Sequence, residues 1–361
     1  MAFFHESTTG GMTTVVQNPH KPLRLLRPGE QASYLNVLLS NGKFQGNDAG
    51  EVEAQRAFAL LPSLFMPRFQ DALVIGLGSG QSAHIVHTMG YEQVHIADIS
   101  PGVVEAARRH FRHINGAVLE QPNVHLSLQD GRNLLLLDPR LYDLISMELT
   151  SVWWAGATNL YSREFYELLR KRLRPGGVVQ QWIQLHHIGT EELLSVISTL
   201  RSVFPVVTLW VVGGQGILLA TEGPQVLRGA ALHRVQARRQ ALGWASDAEM
   251  QRQVAQIVAQ RLLAPEEVAQ IFLSGEFVIN SDRNRYIEYA TPRFNYDRTE
   301  WEKVNLVRMA ALAKFPRLAV EPGGSGPLWE LVQRFNEGDD LRPQRARAAL
   351  GLSRPPPPGA R

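Results

Sequence analysis

The sequence predicts an α/β protein, a mostly parallel sheet with helices on both faces, and three observations lead there. Between residues 71 and 221 short apolar runs alternate with helical patterns, as in repeated strand–helix–strand units. The last two runs, VVTLWVV (206–212) and GILLAT (216–221), are separated only by GGQ. A parallel crossover needs about a dozen residues, so these two form an antiparallel hairpin at one edge of the sheet. Finally, VIGLGSGQSA (74–83) sets glycines at 76, 78 and 80 between a strand and a helix, where backbone can approach a ligand and a helix N-terminus offers free N–H groups.

Each element can be justified in chain order. TTVV (13–16) and YLNVLL (34–39) alternate, and Asn41-Gly42 follows the second run; Asn-Gly between apolar runs signals a hairpin. Residues 1–65 thus read as an N-terminal β unit ending in a helix over EVEAQRAFALLPSLF (51–65). The sheet proper, residues 66–224, takes strands from ALVIG (72–76), VHIAD (94–98), VHLSL (124–128), YDLIS (142–146), GVVQQWIQL (177–185) and the terminal hairpin. Helical patterns such as VVEAARRHF (103–111) and SREFYELLRKRL (162–173) fill most gaps, the second stopping at Pro175-Gly176-Gly177. Seven strands ending in an antiparallel edge hairpin are the layout of S-adenosylmethionine-dependent methyltransferases, a Rossmann-type, methyltransferase-like design. Residues 225–345 read as a helical extension. In it, AEMQRQVAQIVAQRLL (248–263) is capped by Ser246 or Asp247, and PEEVAQIFLSG (265–275) opens with proline. The Pro-rich tail, 346–361, is expected to be disordered.

Composition narrows the function. There are no cysteines, which removes disulfides, thiolate metal sites and cysteine nucleophiles. A net charge of +3 over 361 residues, without a Lys/Arg block, argues against a nucleic-acid partner. The most apolar run, 204–220, is broken by Gly213-Gly214 and falls short of the roughly 20 residues of a membrane span. The opening MAFFHESTTGGMTTVV lacks the pattern of a signal peptide, so a cytoplasmic location is expected. His110 and His113 have no acid cluster around them, and no metal is expected.

The candidate site lies at the carboxyl ends of the strands, where open α/β sheets bind ligands. Asp98 ends the second strand, eighteen residues after Gly80, and a carboxylate there can accept both hydrogen bonds of a ribose diol. Asp130-Gly131 ends the third, where the acid can accept from an adenine amino group; taken singly, each acid could instead cap a helix. Glu148 ends the fourth strand, followed by Trp153 and Trp154. A partly buried carboxylate suits proton transfer near neutrality, and indole faces attract a sulfonium or ammonium, although both tryptophans could equally be packing residues. Tyr161 and His186 are further pocket candidates, and of the adjacent His186-His187 at most one can point inward.

These residues fall in a recognisable order. GLGSG, IADISPGVVEAARRHF, LQDGRNLL, YDLISMEL, YSREFYELLRKRLRPGG and QQW resemble the spermidine synthase (polyamine aminopropyltransferase) family, from about residue 35 to 221. NGKFQGNDAGEVEAQRAFALLP (41–62) fits that family's hairpin and gate region, and INSDRNRYIEYATPR (279–293) extends the likeness. The chain is most similar to a bacterial subgroup fused to a membrane transporter domain, which would make such a domain a possible partner. The resemblance implies that Gln45 and Gln55 contact the nucleoside, Asp98 the ribose, and Asp130 with Gly131 the adenine. It further implies that Gly76, Gly78, Ser79 and Gly80 form the ligand turn and that Glu148 stands where the family acid takes a proton from the attacking amine. Homodimers are common in the family.

The sequence also departs from that family. Ser79 replaces the aspartate that receives the donor's aminopropyl ammonium, Ser151 and Val152 replace the second acid and the proline of the catalytic loop, and Ala54 and Gly50 replace the gate tyrosine and a neighbouring acid. A dication such as putrescine needs such groups for its desolvation, so it is not the expected acceptor. A serine at 79 would suit the carboxylate of intact S-adenosylmethionine better than an aspartate does. The expectation is therefore an enzyme acting on S-adenosylmethionine or its decarboxylated form. It would cleave the propyl-side C–S bond and release methylthioadenosine, by transfer to an amine or by cyclisation onto the ligand's own carboxylate. The alternatives are a methyltransferase and a nucleoside sensor without turnover.

Overall fold

A computed structural model describes residues 3–7, 11–19, 33–149, 152, 157–295, 297–314 and 317–337. The expectations for Ser151, Trp153, Trp154 and the Pro-rich tail lie outside these residues.

Four antiparallel strands, β1 (Phe3–Ser7), β2 (Gly11–Pro19), β3 (Tyr34–Ser40) and β4 (Lys43–Asn47), form the N-terminal sheet in sequence order. Asn41 and Gly42 both take positive φ, 48° and 76°, in the β3–β4 turn, as a type I′ hairpin requires. The gate helix α1 (Val52–Leu60) follows, running into a 3₁₀ turn at Leu61–Phe65 where Pro62 interrupts the α-helical bonding.

The main sheet is built from β5 (Asp71–Ile75), α2 (Gln81–Thr88), β6 (Gln93–Asp98), α3 (Pro101–His110), α4 (Arg112–Asn115), β7 (Val124–Leu128), α5 (Gly131–Leu137) and β8 (Tyr142–Met147). It continues through α6 (Arg163–Arg172), β9 (Leu173–Ile183), α7 (Thr190–Arg201), β10 (Val206–Val212) and β11 (Gln215–Thr221). Strands β5 to β9 are parallel, and the β10–β11 hairpin is antiparallel, as the three-residue spacing demanded. The remaining elements are β12 (Val226–Leu227), α8 (Gly229–Ala237), α9 (Asp247–Ala259), β13 (Arg261–Leu263), α10 (Pro265–Ser274), α11 (Tyr286–Ala290), α12 (Trp301–Leu312), β14 (Ala319–Val320) and α13 (Pro327–Glu337).

Two expectations change here. The sheet has eight strands, in the order β13-β10-β11-β9-β8-β5-β6-β7. The helix expected to reach residue 263 stops at Ala259, and Arg261–Leu263 pair with Leu209 and Trp210 of β10. Leu262 and Leu263 are buried by that pairing, and edge coverage outweighs four more residues of helix. The segment after residue 225 is accordingly not a purely helical appendage.

Each face of the sheet carries its own core. Phe58 of α1, Ile85 of α2, Val103 of α3 and Val254 of α9 belong to one. Leu134 of α5, Phe165 of α6, Ile197 of α7, Val268 of α10 and Leu306 of α12 belong to the other. Successive strands run outward from β5 in one direction as β6 and β7, while β8 lies on its other side. The carboxyl ends of β5 and β8 therefore flank the topological switch, the usual crevice for a ligand.

Candidate active site

The glycine turn leaves β5 at this crevice. Gly76 has φ of 93°, and a Cβ there would come within 2.9 Å of the Glu148 carbonyl oxygen; only glycine lets the ends of β5 and β8 meet so closely. The Glu148 N–H donates to the Ile75 carbonyl at 3.0 Å, fixing the two strand ends together. Gly80 closes the turn in the left-handed region and starts α2. Ser79, buried between them, donates from Oγ to Gln55 Oε1 at 3.4 Å and so ties the turn to the gate helix.

Asp98 accepts from the Leu77 N–H at 2.8 Å with one oxygen and from the Ser100 N–H at 2.8 Å with the other. It thereby holds the tip of the glycine turn, with lone pairs to spare for a diol. Burial raises the Asp98 pKa, and the backbone N–H groups of Leu77, Ser100 and Ile99 pull it back. Asp130 caps α5, its Oδ1 accepting from Arg132 N (2.9 Å) and Asn133 N (3.0 Å). Gly131 lies against β5, where a Cβ would meet Ile75 Cγ2 at 2.5 Å.

Glu148 is the electrostatic centre of the crevice. It keeps partial exposure, but dense surrounding protein pushes its pKa up to about 8. The Ser82 hydroxyl lowers it, and the charge of Glu51 raises it. Burial also raises the pKa of Glu51, which stands just before α1. Sequence reasoning passed over this second acid. It stands at the start of α1, where its side chain makes no capping bond.

The hairpin supplies the third wall. Leu39 pairs with Phe44 and Leu38 with Gly46, so Gln45 is the extra residue of a β-bulge, a device that re-aims a side chain. Gly46 is buried, and a Cβ there would stand 3.3 Å from Gln55 Nε2 and 3.7 Å from Glu51 Oε2. The absence of a side chain at Gly46 thus leaves room for both gate-helix groups.

One expected pocket residue is placed otherwise. Tyr161 is fully buried in a core rather than lining a pocket. Its hydroxyl donates toward the carbonyls of Leu149 (3.5 Å) and Trp182 (3.4 Å), so it props the segment after Glu148 from behind. His186 lies in the loop after β9, half-buried, its pKa lowered by burial and then by His187. His187 points away, its Nδ1 3.2 Å from the Phe294 carbonyl oxygen. His110 ends α3 while His113 lies on α4 against Asp48 at 3.0 Å, so the two do not share a helix. Among the described residues no cluster of His, Asp and Glu could hold a metal ion.

The late segment 279–293 reaches the same region from far along the chain. Asn280 Nδ2 donates to the Tyr161 carbonyl at 3.0 Å, and its own carbonyl accepts from Arg163 N at 2.9 Å. Arg132 makes a two-pronged ion pair with Asp282 and also donates to the Asn159 carbonyl. Thr158 donates to Glu288 at 3.2 Å. These bonds hold residues 157–163, just downstream of Glu148.

Beside Glu51 a cavity of about 230 Å³ opens between α1, the end of β9, the β10–β11 turn and α9. Ala54, Gly50 and Gly213 form its small-residue side, and Trp182, packed on Phe58 at 5.2 Å, forms an aromatic side.

Known proteins resemble the central part of this chain. Residues 51–213 match the spermine/spermidine synthase domain. A polyamine aminopropyltransferase 2 of Pseudomonas aeruginosa is 32% identical over 175 residues, 48% of this chain and 50% of that protein. A polyamine aminopropyltransferase of Nitrosomonas europaea is 26% identical over 196 residues, 54% of this chain and 60% of that protein. The chain thus spans between half and two thirds of the length of these relatives. The spermidine synthase of Thermotoga maritima superposes with a TM-score of 0.58 at 16% identity, covering 76% of this chain and 87% of that one. A spermidine synthase bound to the transition-state analogue AdoDATO does so at 0.58 and 17%. This structural likeness establishes the α/β fold. Among the described residues no helix is long and apolar enough to cross a membrane.

Proposed function

We propose that the chain is a spermidine-synthase-like transferase that breaks the propyl-side C–S bond of an S-adenosyl sulfonium. In this reaction a neutral amine attacks the propyl carbon adjacent to sulfur as the C–S bond opens. The electron pair leaves with sulfur as methylthioadenosine, and the proton of the new ammonium passes to Glu148. The glycine turn and Asp98 hold the nucleoside, with Gln45, Gln55 and Asp130-Gly131 completing its pocket. Catalysis rests chiefly on aligning amine and sulfonium, with proton acceptance contributing about 10²–10⁴-fold.

The observation that carries this reading is Glu148 at the switch-point crevice, its N–H bonded to the end of β5, its pKa raised by burial and by the charge of Glu51, while burial alone raises the pKa of Glu51. Two neighbouring carboxyl groups favour a ligand that brings positive charge. They also disfavour the extra carboxylate of intact S-adenosylmethionine, whatever Ser79 alone would permit. The decarboxylated donor is therefore the proposed co-substrate, its ammonium facing the acids that replace the one absent at residue 79.

Incubation with each nucleoside and a mixture of amines, followed by mass spectrometry, tests the reading. Methylthioadenosine from the decarboxylated donor supports it. S-adenosylhomocysteine from intact S-adenosylmethionine would make the domain a methyltransferase. Methylthioadenosine from the intact form without amine would indicate cyclisation. Nucleoside binding without any product would indicate a sensor.

A further inference from the structure

The N-terminal sheet grips α3 at both ends. At the far end, Asn36 of β3 donates from Nδ2 to the His110 carbonyl at 3.1 Å, its own place fixed by bonds to Asp48. At the near end β2 lies against the first turn of the helix. A Cβ at Gly102 would meet Thr13 Oγ1 at 2.7 Å and Thr13 Cβ at 2.8 Å, so only glycine admits the strand so closely. That first turn begins three residues after Asp98, the acid placed against the ribose.

One buried contact connects the strand to the acid. Thr13 and Ser100 share a hydrogen bond between their hydroxyls, Oγ1 to Oγ at 3.1 Å, with Thr13 wholly buried and Ser100 nearly so. Ser100 Oγ also accepts from the Val103 N–H at 3.2 Å, capping α3, while the Ser100 N–H donates to Asp98 Oδ1 at 2.8 Å. A serine can cap a helix unaided. The added bond from β2 fixes the rotamer of Ser100, and with it the backbone N–H that orients the carboxylate. Asp98 Oδ2 is tied on its other side to the Leu77 N–H of the glycine turn at 2.8 Å. A path of hydrogen bonds thus runs from Thr13 through Ser100 and Asp98 to Leu77.

We propose that Thr13 is a positioning residue for the nucleoside, acting through Ser100 to fix the Asp98 carboxylate, so that the N-terminal sheet sets part of the affinity for the S-adenosyl ligand. This rests on the reading of Asp98 as the ribose acid, not on any product being formed. A carboxylate that must accept the hydrogen bonds of a diol gains from being held in one orientation, because less ordering is left for the binding step. The coupling is reciprocal: a ligand that orders Asp98 also tightens the seat of β2 on α3.

Calorimetry with methylthioadenosine on the intact protein tests this. Thr13→Val, which keeps the shape and removes the hydroxyl, should weaken binding about three- to tenfold, the equivalent of one hydrogen bond. Thr13→Ser, which keeps the hydroxyl, should stay within about a factor of two of the wild type. Asp98→Asn should weaken binding more, and adding Thr13→Val to it should change nothing further, because the path acts through the carboxylate. An unchanged affinity in Thr13→Val, or the same loss with and without the Asp98 carboxylate, would overturn the inference and leave the nucleoside site standing. A wild type that does not bind, or an Asp98→Asn protein that binds equally well, would reject the ribose reading and the inference with it. Amide exchange gives a second readout that does not depend on Thr13→Val folding. Saturating methylthioadenosine should slow exchange across β2 in the wild type and not in Asp98→Asn. Equal slowing in both proteins, or none in the wild type, would again overturn the inference.

Discussion

The strand-end side of the crevice and the cavity beside Glu51 are built in opposite ways. On the strand-end side every group lies at or just after a strand: Gly76 after β5, Asp98 at the end of β6, Asp130 shortly after β7 and Glu148 after β8. The sheet itself brings them together. The cavity is assembled from the gate helix, the β10–β11 turn and α9, which are separated by up to about two hundred residues of sequence. A ligand part shared by a whole fold can be read by its sheet, whereas the variable part is left to elements that can change without disturbing that sheet.

The largest effect that could break this contrast belongs to Glu148, which follows β8 and whose pKa is raised by the charge of Glu51 beside the cavity. Glu148→Gln should lower turnover by about 10²–10⁴-fold while leaving methylthioadenosine affinity within a factor of a few, measured by steady-state kinetics and calorimetry. A variant that loses nucleoside binding as well would place Glu148 on the strand-end side alone. Next in size is the late segment. Asn280 is buried and bonded to Tyr161, Arg163, Thr199 and Ile287, so Asn280→Ala should destabilise the fold by about 2–3 kcal/mol in denaturant unfolding. It should also slow turnover by loosening residues 157–163. Asp98→Asn should weaken nucleoside binding by about 10–100-fold, the value of a charged hydrogen bond, without altering the relative preference among amines.

A smaller effect comes from burying Glu148. Its folded pKa of about 8 lies above the ordinary carboxyl value of 4.5, so the folded protein holds the proton more tightly than the unfolded chain. Stability contributed by the protonated group is full below about pH 4.5 and is lost as pH rises through 8. Glu148→Gln should therefore stabilise the ligand-free protein by about 1 kcal/mol or more at pH 8, but not at pH 4, in thermal unfolding at the two pH values. The smallest effect sharpens the pairing of acids. Glu51→Gln removes a charge that raises the Glu148 pKa, and should shift the rising, acidic limb of the rate profile toward lower pH.

The same division governed what was legible in the chain. The seven strands stood out because their apolar runs are short, regularly spaced and bounded by turn residues. The eighth, β13, is three residues long and continues an amphipathic helix pattern; only its pairing with β10 distinguishes it. Asp98 and Glu148 were visible because strand ends have a fixed geometry. Glu51 was not, since its significance depends on where α1 lies relative to β8. Tyr161 was expected at the pocket because a polar aromatic in a loop often faces a ligand, yet its hydroxyl finds two backbone carbonyls in the core. The cavity that the glutamines of α9 border arises only from tertiary packing.

The pH dependence of kcat/KM for the decarboxylated donor, at saturating amine and in wild type and Glu148→Gln, tests the central claim most directly. The wild-type value should rise about tenfold per pH unit below roughly 8, where a single group must lose its proton, and level off above it. Glu148→Gln should be far slower and nearly flat over the same range. A flat wild-type profile, or the same rise persisting in Glu148→Gln, would contradict Glu148 as the proton acceptor.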